Sequence, residues 1–287
     1  MLQSFFVSDL HGAIDRYQKL FQKIEDEKPD ILFLGGDLLP SGLFLLTKND
    51  QQVVDFLHDF LIPGFNTLKQ KLGKRYPATF CILGNDDGRS EENIILQAEK
   101  KGIWQYIHNK KVQLKDFTIY GYSYVPPTPF FLKDWEKYDV SIYVDPGCIS
   151  PEAGWRSIPI PQHQIKYTTI QQDLEHLAGR DDVSNAVFLF HTPPYQTNLD
   201  RAALDDKIID HIKLDVHVGS IAVKRFIENR QPLVTLHGHI HESTRITGSW
   251  KESIGSTYAV SAAHDGRELA LVRFDLRNPK SATRELV

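Results

Sequence analysis

Leu233-Val234-Thr235-Leu236-His237-Gly238-His239-Ile240-His241 is a short strand-like run that ends in three histidines spaced two apart. Apolar and β-branched residues fill the run, which is the pattern of a strand buried on both faces. With 18 Gly and 12 His in 287 residues, composition alone yields a Gly-His-x-His about 0.03 times. Two imidazoles two positions apart can reach two different metals a few ångströms apart. The C-terminal end of a strand is also where layered α/β proteins place ligands.

Working outward, four more segments repeat this design. Val187-Phe188-Leu189-Phe190 leads into His191 and then Thr192-Pro193-Pro194. An imidazole ending a buried strand needs a partner, either as a ligand or as a satisfied core histidine. Thr79-Phe80-Cys81-Ile82-Leu83 leads into Gly84-Asn85-Asp86-Asp87-Gly88. The Asn85 carbonyl is a modest hard ligand, and a plain loop turn is the alternative. Ile31-Leu32-Phe33-Leu34 leads into Gly35-Gly36-Asp37. The glycines let the backbone turn tightly and come close to a ligand. The two oxygens of Asp37 could bridge two cations, against the alternative of a turn aspartate. The run at 4–8 leads into Ser8-Asp9-Leu10-His11-Gly12. On extended chain, Asp9 and His11 point the same way and can share one metal. The alternative there is a helix N-cap followed by a surface histidine.

In this order, Asp-x-His, Gly-Asp, Gly-Asn-x-Asp, a lone His and Gly-His-x-His resemble the signature of the calcineurin-like metallophosphoesterase superfamily. The match runs from residue 9 to residue 241. The context His217-Val218-Gly219-Ser220 before Gly-His-Ile-His-Glu-Ser is similar to the Icc-related bacterial and archaeal phosphoesterases. The resemblance implies an α/β fold of two β-sheets packed as a sandwich and flanked by helices, four layers in all. It implies one metal held by Asp9, His11, Asp37 and His241. A second would be held by Asp37, Asn85, His191 and His239, with Asp37 bridging. His237 falls outside the ligand pattern and takes a structural or supporting role.

A mixed Asp/Asn/His set without Cys suits two divalent or mixed-valence ions among Mn, Fe, Zn, Co and Ni. The expected chemistry is phosphoester hydrolysis by direct attack of a metal-bridging hydroxide, with inversion at phosphorus and no covalent phosphoenzyme. One position departs from the family. Many members carry His directly after Gly-Asn, where it meets phosphate and helps the leaving group; here Asp86 stands there. A carboxylate beside two cations stays ionised, so Asp86 is a poor general acid. The expectation is a preference for good leaving groups, or an acid borrowed from elsewhere. Arg89 is a candidate contact for a phosphate oxygen, with a solvated surface arginine as the alternative. His217 is a candidate at the mouth of the site, against an ordinary loop histidine.

Around the motifs, strand and helix signals alternate. Strands are expected at 4–8, 30–34, 78–83 and 186–190, with two more within 111–121 and another at 233–236. Helices are expected at 15–26, 51–61, 91–101, 164–177 and 221–229, the last capped by Ser220. The end of the chain reads as a β-meander at 244–247, 256–260 and 269–275. No linker or repeat divides the sequence, so 1–287 reads as a single domain.

Residues 122–162 lack any period and are rich in Pro, Gly and aromatics, which marks an insertion that serves as a functional loop or lid. Tyr122, Tyr124, Phe130, Phe131, Trp135, Tyr138, Tyr143 and Trp155 could form a stacking wall for a nucleobase, or a satellite cluster under a long loop. If the loop covers the metals, a small phosphodiester is favoured over a phosphoprotein. The alternatives are a phosphomonoesterase, including a protein Ser/Thr phosphatase, and a non-catalytic scaffold.

The net charge is -4, so no bulk basicity points to nucleic acid or an anionic membrane. No apolar run is long enough for a membrane span, and the first residues lack the pattern of a signal peptide. Cys81 and Cys148 are too few for a secreted disulfide scaffold of this size, so the expected location is the cytoplasm.

Overall fold

Each long apolar run becomes a strand because its side chains alternate between two separate cores. The computed structural model describes residues 2–41 and 55–287. In chain order the elements begin with β1 (Gln3–Val7), α1 (Ile14–Glu27) and β2 (Ile31–Gly35). A π-helical turn, Phe56–Leu61, then runs into α2 (Ile62–Leu72), followed by β3 (Ala78–Ile82), α3 (Glu92–Lys100), β4 (Gln105–Tyr106), β5 (Lys110–Leu114) and β6 (Phe117–Tyr122). Next come α4 (Gln162–Lys166), α5 (Ile170–Ala178), β7 (Ala186–Phe190), β8 (Ile208–Ile209), β9 (Ile212–Lys213), α6 (Ile221–Arg230) and β10 (Val234–His237). The last elements are α7 (Ser243–Thr247), β11 (Lys251–Ile254), β12 (Thr257–Ser261), β13 (Ala270–Asp275) and β14 (Asn278–Leu286).

Two six-stranded mixed sheets result, in the orders β14-β13-β1-β2-β3-β4 and β11-β12-β10-β7-β6-β5. In the first, β1, β2 and β3 run parallel. In the second, β6, β7, β10 and β12 run parallel. Strand parity assigns every side chain to a layer. Phe6, Ile31, Phe33, Phe80 and Ile82 meet Val187, Leu189, Val234 and Leu236 between the sheets. The alternate residues Phe5, Val7, Leu32, Leu34 and Cys81 pack under Tyr17, Leu20 and Ile24 of α1 and Phe65 of α2. On the far side, Phe188 and Phe190 pack under Leu174 of α5 and Phe226 of α6. Continuous apolar runs are what parallel strands covered on both faces require. The order helix, sheet, sheet, helix is the four-layer arrangement expected from the sequence. Truncating one of the aromatics between the sheets, such as Phe33, removes about 3–5 kcal/mol.

Several expected boundaries change. The helix expected at 164–177 is two helices, α4 and α5, because Thr169 starts a new one. Its side chain accepts from Gln172 N, and the Gln172 side chain accepts from Thr169 N, forming a capping box. The strand expected at 244–247 is the one-turn helix α7, closed by Gly248 at φ 74. There the capping glycine overrides the β-branched residues. The terminal segments form no meander. β12 pairs parallel with β10, while β13 crosses to the other sheet and pairs antiparallel with β1. β14, with its polar sequence, was not anticipated. In the helix expected at 51–61, residues 51–54 lie outside the described residues. The rest is π-helical and runs on into α2, whose second residue is Pro63; the fixed φ of proline suits the helix there.

Candidate metal centre

All seven sequence candidates for metal binding lie just beyond the C-terminal ends of β1, β2, β3, β7 and β10. Backbone hydrogen bonds lock these turns together: Asp9 N donates to Gly36 O at 3.0 Å, His11 N to Asp37 O at 2.8 Å, and Gly238 N to His191 O at 2.9 Å. Asp9, His11, Asp37 and His239 all adopt the left-handed backbone region, with φ of 57, 46, 50 and 73°. Non-glycine residues rarely sit there, and such strain gathers where a site demands it. Space is equally tight. A side chain at Gly84 would place its first carbon 2.3 Å from Asp37 Oδ1 and 2.6 Å from His191 Nε2.

Two overlapping groups converge. Asp9, His11, Asp37 and His241 offer one ligand atom each, all within 4.8 Å of one another. Asp37, His191 and His239 do the same. In the first group, His11 Nε2 lies 3.1 Å from His241 Nε2, and His241 Nε2 lies 3.3 Å from Asp9 Oδ1. In the second, His191 Nε2 lies 3.3 Å from Asp37 Oδ2 and 3.0 Å from Asn85 Oδ1.

Hydrogen bonds on the far sides of the rings decide what these atoms can do. His191 Nδ1 donates to Gly35 O at 2.8 Å, which leaves Nε2 as a bare lone pair in the neutral ring. His11 Nδ1 donates to Asp86 Oδ2 at 3.2 Å, with the same consequence. Each bare nitrogen then faces the Asp37 carboxylate, lone pair towards lone pair, at 3.8 Å for His11 and 3.3 Å for His191, a repulsion that a cation or an added proton relieves. Asp9 Oδ2 is buried and has no hydrogen-bond partner, a further acceptor awaiting a cation.

The electrostatics point the same way. Burial favours neutral His11, but the hydrogen bond to Asp86 and the charges of Asp37 and Asp9 overrule it and push it up to about 9. Burial opposes a charge on His191 too, and Asp37 raises it to about 9. Burial also works against ionised Asp9, yet His241 and His191 hold it at about 2. Against burial, His191, His11 and the Asp86 N–H hold Asp37 well below the usual carboxylate range. Burial and the neighbouring His191 charge depress His239 to about 3, so it presents a neutral nitrogen. Buried oxygens, imidazole nitrogens and no thiolate make a donor set that fits first-row divalent cations.

The remaining candidates divide. Asp86 sits within the cluster: its carboxylate holds His11 and accepts from Ser41 Oγ at 2.6 Å, and its N–H donates to Asp37 Oδ1 at 2.8 Å. Arg89 turns away. It bonds Glu92 and the Tyr124 hydroxyl and lies 4.9 Å over the ring of Trp135. His217 bonds Asp200 Oδ1 at 2.8 Å beside Tyr195. His237 is fully buried between Thr192 O and the Thr235 hydroxyl and stacks on Phe190.

Sequence reasoning missed Ser41 and Asp200, each an isolated polar residue with no motif around it. It also missed how Asp87 acts. The Asp87 carboxylate accepts from Leu38 N, Leu39 N and Gly84 N at 2.7–3.2 Å, and so pins the Asp37 turn to the Asn85 turn.

The chain belongs to the calcineurin-like phosphoesterase family, whose family model matches residues 4–243. That makes it a phosphoesterase, a hydrolase of phosphoric ester bonds, in a family built around a dinuclear metal centre. Among solved structures, the protein TT1561 of Thermus thermophilus is 16% identical, covers 99% of this chain and 98% of its own, and has a TM-score of 0.58. Another crystal structure is 17% identical with a TM-score of 0.60 over the same shares. These likenesses show a shared fold. A structure described as a novel archaeal phosphodiesterase is 11% identical over 99% of both chains, at a TM-score of 0.45, too distant to bear on this chain's substrate. No curated protein matches the chain in sequence. No helix among the described residues is long and apolar enough to cross a membrane.

Proposed function

We propose that residues 1–287 act as one domain that hydrolyses small phosphodiesters at a pair of divalent cations. Asp9, His11, Asp37 and His241 hold one cation. Asp37, Asn85, His191 and His239 hold the other, with Asp37 shared. The observation that carries this reading is the convergence of ligand atoms: His11 Nε2 and His241 Nε2 lie 3.1 Å apart, with Asp37 Oδ2 within 3.8 Å of His11 Nε2 and 3.3 Å of His191 Nε2. When bound, such a pair supplies Lewis acidity and lowers the pKa of water towards neutrality. Mn, Fe, Zn, Co and Ni all suit the donors.

The chain's own residues do the rest. Asp86 fixes the tautomer and tilt of His11 through Nδ1, as carboxylate partners of metal-binding histidines do. With both its oxygens engaged by His11 and Ser41, Asp86 offers no proton to a leaving group. Its negative charge also disfavours a monoester dianion relative to a diester monoanion. The insertion at 122–162 is fastened to the segment that follows Asn85. Asp134 accepts from Arg89 N at 2.7 Å and Ser157 Oγ accepts from Ser90 N at 2.8 Å, tying the insertion to the loop that carries Asn85.

Turnover of bis(p-nitrophenyl) phosphate and p-nitrophenyl phosphate with Mn²⁺ tests the reading. A kcat/KM at least about tenfold higher for the diester is expected, with the gap narrowing in Asp86→Asn. Preference for the monoester would reject the diester assignment.

A further inference from the structure

Three cations line a cavity that the phosphoesterase reading does not use. The cavity, about 150 Å³ in volume, lies between Arg89, Lys137 and Arg156, with Tyr124, Gln164 and Glu136 also in its wall. Arg89 and Lys137 are each set against an aromatic ring: the guanidinium lies 4.9 Å over Trp135 and the ammonium 4.5 Å over Tyr124. Such stacking holds a cation in place without using its hydrogen bonds. Both also have carboxylate partners at the rim, Glu92 for Arg89 and Asp173 for Lys137.

Arg156 differs. Its Nη1 donates to Lys133 O and its Nη2 to Pro151 O, and no ion pair with a carboxylate is formed by it among the described residues. Its Nε–H is buried with no acceptor at all. A buried guanidinium donor left unpaired is costly. The one carboxylate in the wall cannot answer it, because Glu136 is turned into its own network with Lys133 and Thr128. Positive charge and planar donor forks are what bind a phosphoryl group, and Arg156 has no carboxylate partner among the described residues that an anion would have to displace.

We infer that this cavity is a binding site for a phosphate-class anion, distinct from the metal cluster. Arg89 follows Asn85 by four residues, so its Cα lies within about 14 Å of that of Asn85 even on fully extended chain. The anion is therefore either a second phosphate on the substrate or free inorganic phosphate.

Calorimetric titration of the metal-loaded protein with inorganic phosphate tests the site. Two binding events are expected, one at the metals and one in the cavity. Arg156→Gln should weaken one event by about tenfold or more, while Arg156→Lys, which keeps the charge, largely retains it. If Arg156→Gln fails to fold, Lys137→Gln should show a loss in the same event. A single event in the wild type, or two events that neither variant alters, overturns the site. Wild-type kinetics then separate the sources. Thymidine 5′-(p-nitrophenyl phosphate) is compared with its 3′-phosphorylated form. A KM about tenfold lower for the second, with inorganic phosphate competing, assigns the cavity to substrate; equal KM values assign it to the free ion. Phosphate binding in the cavity without turnover of either ester would leave the site standing and remove the diesterase reading instead.

Discussion

The two halves of the metal cluster share Asp37 and differ in how they are held. In the half made by Asp9, His11 and His241, the His11 and His241 side chains are 28% and 34% exposed, and His11 is oriented by another side chain, Asp86. In the half made by Asn85, His191 and His239, His191 is fully buried and oriented by a backbone carbonyl, Gly35 O. Backbone moves less than a side chain, so the second half is the more rigid. The first has two histidines open in part to solvent. The difference teaches that one carboxylate joins a fixed half to an adjustable one.

Removing the shared group has the largest effect. Asp37→Ala should lose both ions, read by elemental analysis, and reduce turnover to background; retention of two ions would break the comparison at its root. Asn85→Ala should touch the buried half alone. It should weaken one ion by more than the 10–100-fold typical of lost supporting contacts and leave the other bound, as competition with a fluorescent chelator would resolve. Asp86→Asn should act in the opposite half, where loss of the carboxylate on His11 Nδ1 costs about 10–100-fold in affinity for one ion. If Asn85→Ala and Asp86→Asn weaken the same ion, the two halves are not separate sites.

The smallest effect sets a buried histidine outside the cluster against those within it. Burial, then the charges of Arg89, Lys137 and Lys110, push His108 down to about 3 from 6.5. The unfolded chain takes up this proton first, so stability is lost as the pH falls below 6.5. The slope is at most about 1.4 kcal/mol per pH unit from this one group. Thermal unfolding across this range should show the loss with and without metal, and His108→Gln should flatten it. An unchanged slope in the variant would assign the acid loss elsewhere.

Much of this was legible in the sequence, for a physical reason. Strands covered on both faces must be apolar throughout, so Ile31–Gly35 and Ala186–Phe190 announce themselves, and the polar residue that ends each run marks the site. Asp9, His11, Asp37 and His239 were visible as residue types, but their left-handed backbone was not, because it is imposed by turns that meet only in the folded chain. The function of Asp86 depends on the position of His11, 75 residues away. Reading Asp86 as a replacement for a phosphate-contacting histidine therefore missed its contact with His11. Arg89 was legible as a cation and illegible as a wall of a cavity, since Arg156 and Lys137 come from an insertion that has no periodic pattern to read. The strand expected at 244–247 failed because Thr and Ile favour strands only when a sheet is there to receive them.

Anomalous scattering from a crystal of the manganese-loaded protein tests the central claim directly. Two peaks are expected with the Asp37 carboxylate between them, one beside His11 and His241, the other beside Asn85 and His191. A single peak, or two that do not share Asp37, would contradict it.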